Sequence, residues 1–513
     1  MPHVRRETAA AWLFVWAWAV GLLVSPGHFG SIDAERRFQV ARAWWTAEPE
    51  VRADDTDFGI PGRDGRRRAW YGAGQSLIML PVDLVVSTAV SLIPPLARID
   101  RALDGAAVRV LVVMTLAPLL VALAVRQAYL LLVALGFAWR VALAGALSLL
   151  VATTLLHYAQ LLQENVLGLL LMLTAVRAGL LWARGGPRRH LVVAGLCLGL
   201  ELLVRLTSAI DVVAVMAFAG ALAWTSTPDD DRRRRLRDLV LVIGGCVLLG
   251  LVLDRLYHAW RFGDWTTTYI GRFGEAARAA DPALPAMFPF STPFVTGWLG
   301  AFVSWRKSVF LFDPLLAATM VVLVARWRQC PAVVRGFAVA MGSVLLAQAT
   351  FHARYFAWGG DAAWGDRFLV SPAQALAILA VPLALTMDVS RRARMAMWTV
   401  ALVSVLVQVA STIFTFNLEI AQIDRGIGSN VVIGQRFWNI WTAVTTIAPG
   451  AADGLASMFR PAFAPWTFAP VLGASLSVVV CAAWWGWLAL VAWLTWILAR
   501  AALQSGRGVS SGG

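Results

Sequence analysis

At 513 residues, 59% hydrophobic and only 14% charged, with a mean hydropathy of +0.69, the chain has too little charge and too many long apolar runs for a soluble globular domain. Its net charge of +14 does not form the basic domain or stripe of a nucleic-acid binder, because the basic residues fall in short clusters between apolar runs and act as topology signals. The four cysteines, Cys197, Cys246, Cys330 and Cys481, lie on or beside those runs without paired spacing, which gives neither a disulfide framework nor a zinc site.

The sequence therefore predicts an all-α polytopic membrane protein. Apolar runs of span length fall near 9–25, 107–125, 140–157, 164–183, 190–207, 209–225, 238–257, 311–327, 333–351, 368–387, 395–416 and 470–498, giving about 12 transmembrane helices in one domain over residues 1–500. The first run has no small-residue cleavage site after it and reads as an anchor. The run at 77–96 is apolar but carries Pro81, Asp83 and the pair Pro94-Pro95, which interrupt a helix that must satisfy its own backbone in lipid. If it does not span, the clusters at Arg5-Arg6, Arg184 to Arg189, Arg232 to Arg237, Arg326 to Arg335, Arg391 to Arg394 and Arg500 all fall on one side, which the charge rule makes cytoplasmic. It is accordingly placed as an interfacial or half-inserted helix, with both termini cytoplasmic. The outer loops are then about 26–106, 257–310, 352–367 and 417–466, and residues 501–513 form a disordered cytoplasmic Ser/Gly tail.

Lys307 is the only lysine among the 44 basic residues. That skew, with abundant alanine, matches the composition of a GC-rich genome.

Candidate chemistry collects in the outer segments. Asp33 and Glu35 follow the turn-forming Gly27 to Gly30 and precede Phe38 to Trp45, an expected interfacial helix. An acid there meets both a lipid headgroup and a water-soluble partner, although a helix-capping role is the plain alternative for both residues. Tyr71 and Gln75, in Tyr71-Gly72-Ala73-Gly74-Gln75, offer hydrogen-bonding groups at the rim. His157 and Glu164 bracket an outer turn, and a carboxylate entering a span asks for a partner or a wet cavity. Arg205 ends an apolar run on the outer side against the charge rule and needs an anion, either Glu201 or a phosphate. Aromatics interleaved with small polar residues over 262–314, including Tyr269, suit a sugar- or lipid-facing groove or an interfacial belt. In the same segment Arg306 and Lys307 are phosphate candidates. Trp358 to Leu369 is a compact turn with three glycines, in which Asp361 and Arg367 aim polar groups inward or simply pair to stitch the loop.

The order of these elements resembles the GT-C superfamily of integral-membrane glycosyltransferases, which includes protein O-mannosyltransferases, aminoarabinose transferases and mycobacterial arabinofuranosyltransferases. The resemblance rests on Ser31-Ile32-Asp33-Ala34-Glu35 after the first span, the Tyr71 to Ser76 segment, Glu164, Gly195 to Arg205, the loop from Phe262-Gly263-Asp264-Trp265 to Asp313-Pro314, and Trp358 to Phe368. It covers most of the chain. A Trp-Trp-Asp-Tyr-Gly signature of the oligosaccharyltransferase type is missing, as is a large soluble C-terminal domain, so the acceptor class stays open.

The resemblance implies transfer of a sugar from a polyprenyl-phosphate donor to a glycan, lipid or protein acceptor on the periplasmic face of the plasma (inner) membrane. Asp33 would be the base. Glu35 and Glu164 assist, while Tyr71, Gln75, His157, Arg205, Tyr269, Arg306, Lys307, Asp361 and Arg367 bind substrate. No metal is required, a divalent cation such as Mg or Mn remains possible, and no nucleic-acid partner is expected. Two rival readings are a secondary transporter, whose acids would sit near the midplane on broken helices, and a polysaccharide polymerase or ligase using a diphosphate-linked donor.

Overall fold

The computed structural model describes residues 5–52, 58–361, 363–388 and 390–504. The chain opens with α1 (Ala9–Val24) and α2 (Ile32–Ala43), then a short antiparallel pair β1 (Ile60–Pro61) and β2 (Arg67–Arg68), then α3 (Gly74–Leu92) and α4 (Pro94–Ala102). A run of packed helices follows: α5 (Ala106–Leu135), α6 (Trp139–Val151), α7 (Leu155–Tyr158), α8 (Glu164–Ala183), α9 (Arg189–Val204), α10 (Ala209–Ser226) and α11 (Asp229–Phe262). The second half comprises α12 (Tyr269–Ala280), α13 (Phe294–Val303), α14 (Val309–Phe312), α15 (Pro314–Arg326), α16 (Ala332–His352), α17 (Val370–Ala377) and α18 (Ala380–Thr386). It closes with α19 (Arg391–Ile413), α20 (Asn417–Asp424), α21 (Val432–Thr445) and α22 (Ala464–Leu503), the last of which breaks at Gly473.

Among the described residues, eight helices are long and apolar enough to cross a membrane: α3, α5, α8, α10 with the turn before it, α11, α16, α19 and α22. The expected figure of about 12 is not reached on length because several of the expected runs fold as shorter helices: α1, α6 and the α17–α18 pair, with α9 and α15 at 16 and 13 residues. At 1.5 Å rise per residue these fall short of the roughly 30 Å hydrocarbon layer when upright. Small residues let the long helices touch. A Cβ on Gly250 of α11 would lie 2.5 Å from the carbonyl oxygen of Gly199 in α9, so the two backbones pack without side chains between them. The first and last helices are tied together: Trp16 donates to Thr495 at 2.7 Å and Trp484 to the Leu23 carbonyl at 2.9 Å. α1 and α22 are thus antiparallel, with the start of α1 and the end of α22 at one end of the bundle.

Two expectations need correction. Pro81 does not interrupt the helix at 77–96, since α3 is continuous from Gly74 to Leu92. Asp83 is tolerated because it is buried against Arg42, at 3.1 Å, and the Trp45 indole, at 2.9 Å. The chain nonetheless enters and leaves α3 at one end of the bundle. The start of α3 packs on Leu203 and Val204 at the end of α9, and α4 leads to α5, which runs antiparallel to α1, with Pro118 against Gly21, and finishes beside Arg184 at the end of α8. The second correction concerns the helix expected at Phe38 to Trp45, which begins earlier, at Ile32, and is largely buried, so Asp33 and Glu35 lie within its first turn. At the C-terminus α22 extends to Leu503, so residues 501–503 of the expected tail are helical, and 505–513 lie outside the described residues.

Candidate active site

Ser31 caps α2: its hydroxyl accepts from the Ala34 amide at 3.2 Å. That frees Asp33 from the capping role and turns its side chain into a cavity of about 230 Å³ bounded by α2, α8, the end of α9, the start of α12 at Tyr269 and Ile270, the end of α16 and the Arg367-Phe368 pair. Asp33 Oδ2 accepts from Arg367 Nη1 at 2.5 Å, and its Oδ1 accepts from the Tyr71 hydroxyl at 2.7 Å. One helical turn beyond Asp33, on the same face, Arg37 reaches Glu164 Oε2 at 2.8 Å with its guanidinium over the Tyr71 ring. Glu164, the first residue of α8, also accepts from Arg205. Arg205 leaves the helix with extended backbone at the end of α9, and both it and Arg367 lie over the Phe368 ring, which in turn stacks on His352 at 4.1 Å.

Burial raises the pKa of Asp33, but the Arg367 and Arg37 guanidinium groups outweigh it and hold the carboxyl below the usual aspartate value. Tyr71 is pushed well up, by burial first and then by the neighbouring Asp33 charge, so its hydroxyl stays a donor to Asp33. Three guanidinium groups therefore face two carboxylates in the cavity, while Glu201 and Asp211 lie behind Arg205 in a smaller chamber. Among the described residues no three His, Cys, Asp or Glu side chains gather as metal ligands. With its acids already answered by arginines, the cavity suits an anion better than a divalent cation. Leu202, Val204, Leu206, Ile270, Phe290 and Phe351 give the cavity an apolar side, with Thr207, Thr268, His352 and Tyr355 also in its lining.

Of the residues singled out from sequence, Asp33, Glu164, Tyr71, Arg205, Tyr269 and Arg367 come together here. The other six do not. Glu35, two positions and so about 200° around the helix from Asp33, faces a different groove with Arg42, Arg101 and Arg109. Gln75 is buried and donates to the Leu162 carbonyl at 2.5 Å, tying α3 to the turn before α8. His157 is buried among the rings of Tyr158, Trp364 and Phe416. Arg306 is exposed on the turn after α13. Lys307 donates to the carbonyls of Asp361, Ala363 and Gly365 at 2.6, 2.7 and 3.3 Å, so its three N–H groups brace a loop. Asp361 is exposed, with φ of 56°. Sequence reasoning missed Arg37, although its i+4 spacing from Asp33 was a legible signal; Phe368 lay within the segment singled out beside Arg367 without a role, and nothing local marked His352 or Tyr355.

No family model and no curated protein sequence matches the chain. Several solved structures are similar. The archaeal oligosaccharyltransferase AglB from Archaeoglobus fulgidus, in complex with an inhibitory peptide and a dolichol-phosphate, is 12% identical, over 89% of this chain and 60% of its own, with a TM-score of 0.40. The Archaeoglobus fulgidus oligosaccharyltransferase tethered with an acceptor peptide containing the NVT sequon is 13% identical over 88% and 59%, with a TM-score of 0.44. ArnT from Cupriavidus metallidurans bound to undecaprenyl phosphate is 15% identical over 97% and 77%, with a TM-score of 0.43. This chain spans about 60% of the length of the archaeal enzyme.

Proposed function

We propose that the chain is an integral-membrane glycosyltransferase of the GT-C type, moving a sugar from a polyprenyl-phosphate donor to an acceptor hydroxyl. The observation that carries this reading is the convergence of Asp33–Arg367 and Arg37–Glu164–Arg205, from four separate parts of the chain, on one cavity with an apolar wall. A lipid-linked phosphodiester needs cations on the departing phosphate and a base on the attacking hydroxyl, both held in register. In this reading Asp33 accepts the acceptor proton while the acceptor oxygen forms its bond to the anomeric carbon. The carbon–oxygen bond to phosphate breaks, its electron pair leaves with the phosphate, and Arg37, Arg205 and Arg367 stabilise the added charge. Glu164 keeps Arg37 and Arg205 aimed inward.

The resting ion pair sets the order of events. Held low by Arg367, Asp33 is a weak base; a phosphate that draws Arg367 away restores its basicity, so donor binding switches the base on. The cavity lies at the end of α8 opposite Arg184, away from the arginine clusters that face the cytoplasm in the charge-rule reading. That supports a periplasmic site in the plasma membrane and a role in envelope glycan assembly, with arabinose or mannose as first sugars to test and glycan, lipid or protein acceptors. The decisive experiment supplies purified protein in nanodiscs with polyprenyl-phosphate sugars and follows glycosylated product by mass spectrometry. Asp33→Asn should lower transfer by about 10²–10⁴-fold, the usual weight of a positioned base, while polyprenyl phosphate still binds. Full transfer by that variant would remove Asp33 as base, and the absence of transfer from any lipid-linked sugar by the unaltered protein would remove the reading itself.

A further inference from the structure

Helix α21 is polar inside and apolar outside. Its buried face carries Gln435, Arg436 and Asn439, the last two 0% and 1% exposed. Arg436 donates to Glu419 Oε2 at 2.6 Å and to the Phe414 carbonyl at 2.7 Å, and Asn439 donates to Glu419 Oε1 at 2.7 Å. The opposite face presents Phe437, Trp438, Trp441 and Val444, continued by Ile447, with exposures from 43% to 98%. Arg436 is the only charged residue of the helix, and it is turned inward. A helix in an aqueous loop shows the reverse polarity, and a contiguous exposed apolar patch marks a protein or membrane contact.

We propose that this face of α21 lies in the outer interface of the lipid bilayer, so that the segment 417–466 is anchored on the membrane and is not a free loop. Three observations select lipid over a second protein chain. The face has no charged residue with which to fix the register of a partner. It carries two tryptophans, the side chain that concentrates at the headgroup level. It also continues the exposed apolar surface of a helix long and apolar enough to cross a membrane: α21 packs on the end of α19 through Arg436 and Ile440, and Leu402, Val403, Leu406 and Val409 of α19 are exposed. The anchor has a mechanical consequence, because the Arg436 guanidinium lies 5.4 Å from the Trp364 ring, three residues before Arg367. Seating α21 on the bilayer thus braces the loop that delivers Arg367 to the cavity.

The test uses the full chain with its four cysteines replaced by alanine and single nitroxide labels at 438, 441 and 444, reconstituted in phosphatidylethanolamine–phosphatidylglycerol vesicles. Collision with oxygen should exceed collision with a nickel chelate at all three positions. A label at the partly buried Ile440 should exclude both reagents, which verifies that α21 is folded in place. Dominance of the nickel chelate at 438, 441 and 444 would show a water-exposed face and overturn the proposal. Exclusion of both reagents there would also overturn it, by showing that another protein chain covers the patch.

Discussion

In the proposed reaction Asp33 carries two opposing demands, since it is partnered by Arg367 at 2.5 Å and Tyr71 at 2.7 Å at rest and would have to be released to take a proton. The sign of its pH dependence follows from the lowered pKa. The unfolded chain protonates aspartate near about 4 and the folded chain lower still, so the stabilising contribution of these contacts is complete above about 4 and is lost as pH falls through the depressed folded value. Melting temperatures of the unaltered protein and Asp33→Asn, compared as pH is lowered below about 4, should therefore converge. A gap that persisted in acid would mean that the carboxylate charge is not what Arg367 holds. Tyr71→Phe removes one donor to the carboxylate and should raise the acid limb of the rate profile, with the fold intact.

At the scale of elements, the start of α8 fixes two of the three arginines. Glu164 is 6% exposed and touches both Arg37 and Arg205, so Glu164→Ala removes the carboxylate paired with both guanidinium groups and should cost about 3–5 kcal/mol of stability. Glu164→Gln keeps the shape and should cost less; equal losses in chemical unfolding would point to packing and not charge. The loop from Trp358 to Arg367 is positioned differently, by Lys307. Burial draws that ammonium down to about 7, yet three carbonyls accept from it, which requires all three N–H groups of the charged form. Raising pH through about 7 removes one donor, so transfer should fall on the alkaline side. Lys307→Met should lower turnover by on the order of 10²-fold, as small misplacements of catalytic groups do, with the thermal transition retained. Unchanged turnover would show that Arg367 is held in place by other contacts.

At the scale of the molecule, the antiparallel pairing of α1 and α22 brings the start of α1 and the end of α22 to one end of the bundle, opposite the cavity. Reporter fusions at the two ends should report the same side of the membrane, and single cysteines at the exposed Glu48 and Asp104 the other. Opposite sides for the two ends would require α3 to cross. Much of this was legible in the sequence. Apolar length and composition determined an all-helical membrane chain, and the acid stranded after the first apolar run drew attention to Asp33, which the fold turns into the cavity; the arginine clusters supplied an expected sidedness, which the reporter fusions test. These are local quantities, fixed by how single residues partition between lipid and water. Only the tertiary structure decided which polar groups share a space. Glu35 and Asp33 differ by two positions and face opposite sides of one helix, Lys307 and Arg367 are both cations of segments between helices yet one braces carbonyls while the other meets a carboxylate, and Arg37 was overlooked until Glu164 came to meet it. Such assignments depend on contacts between residues far apart in the chain, whose geometry is set by helix packing and has no counterpart in local composition or spacing.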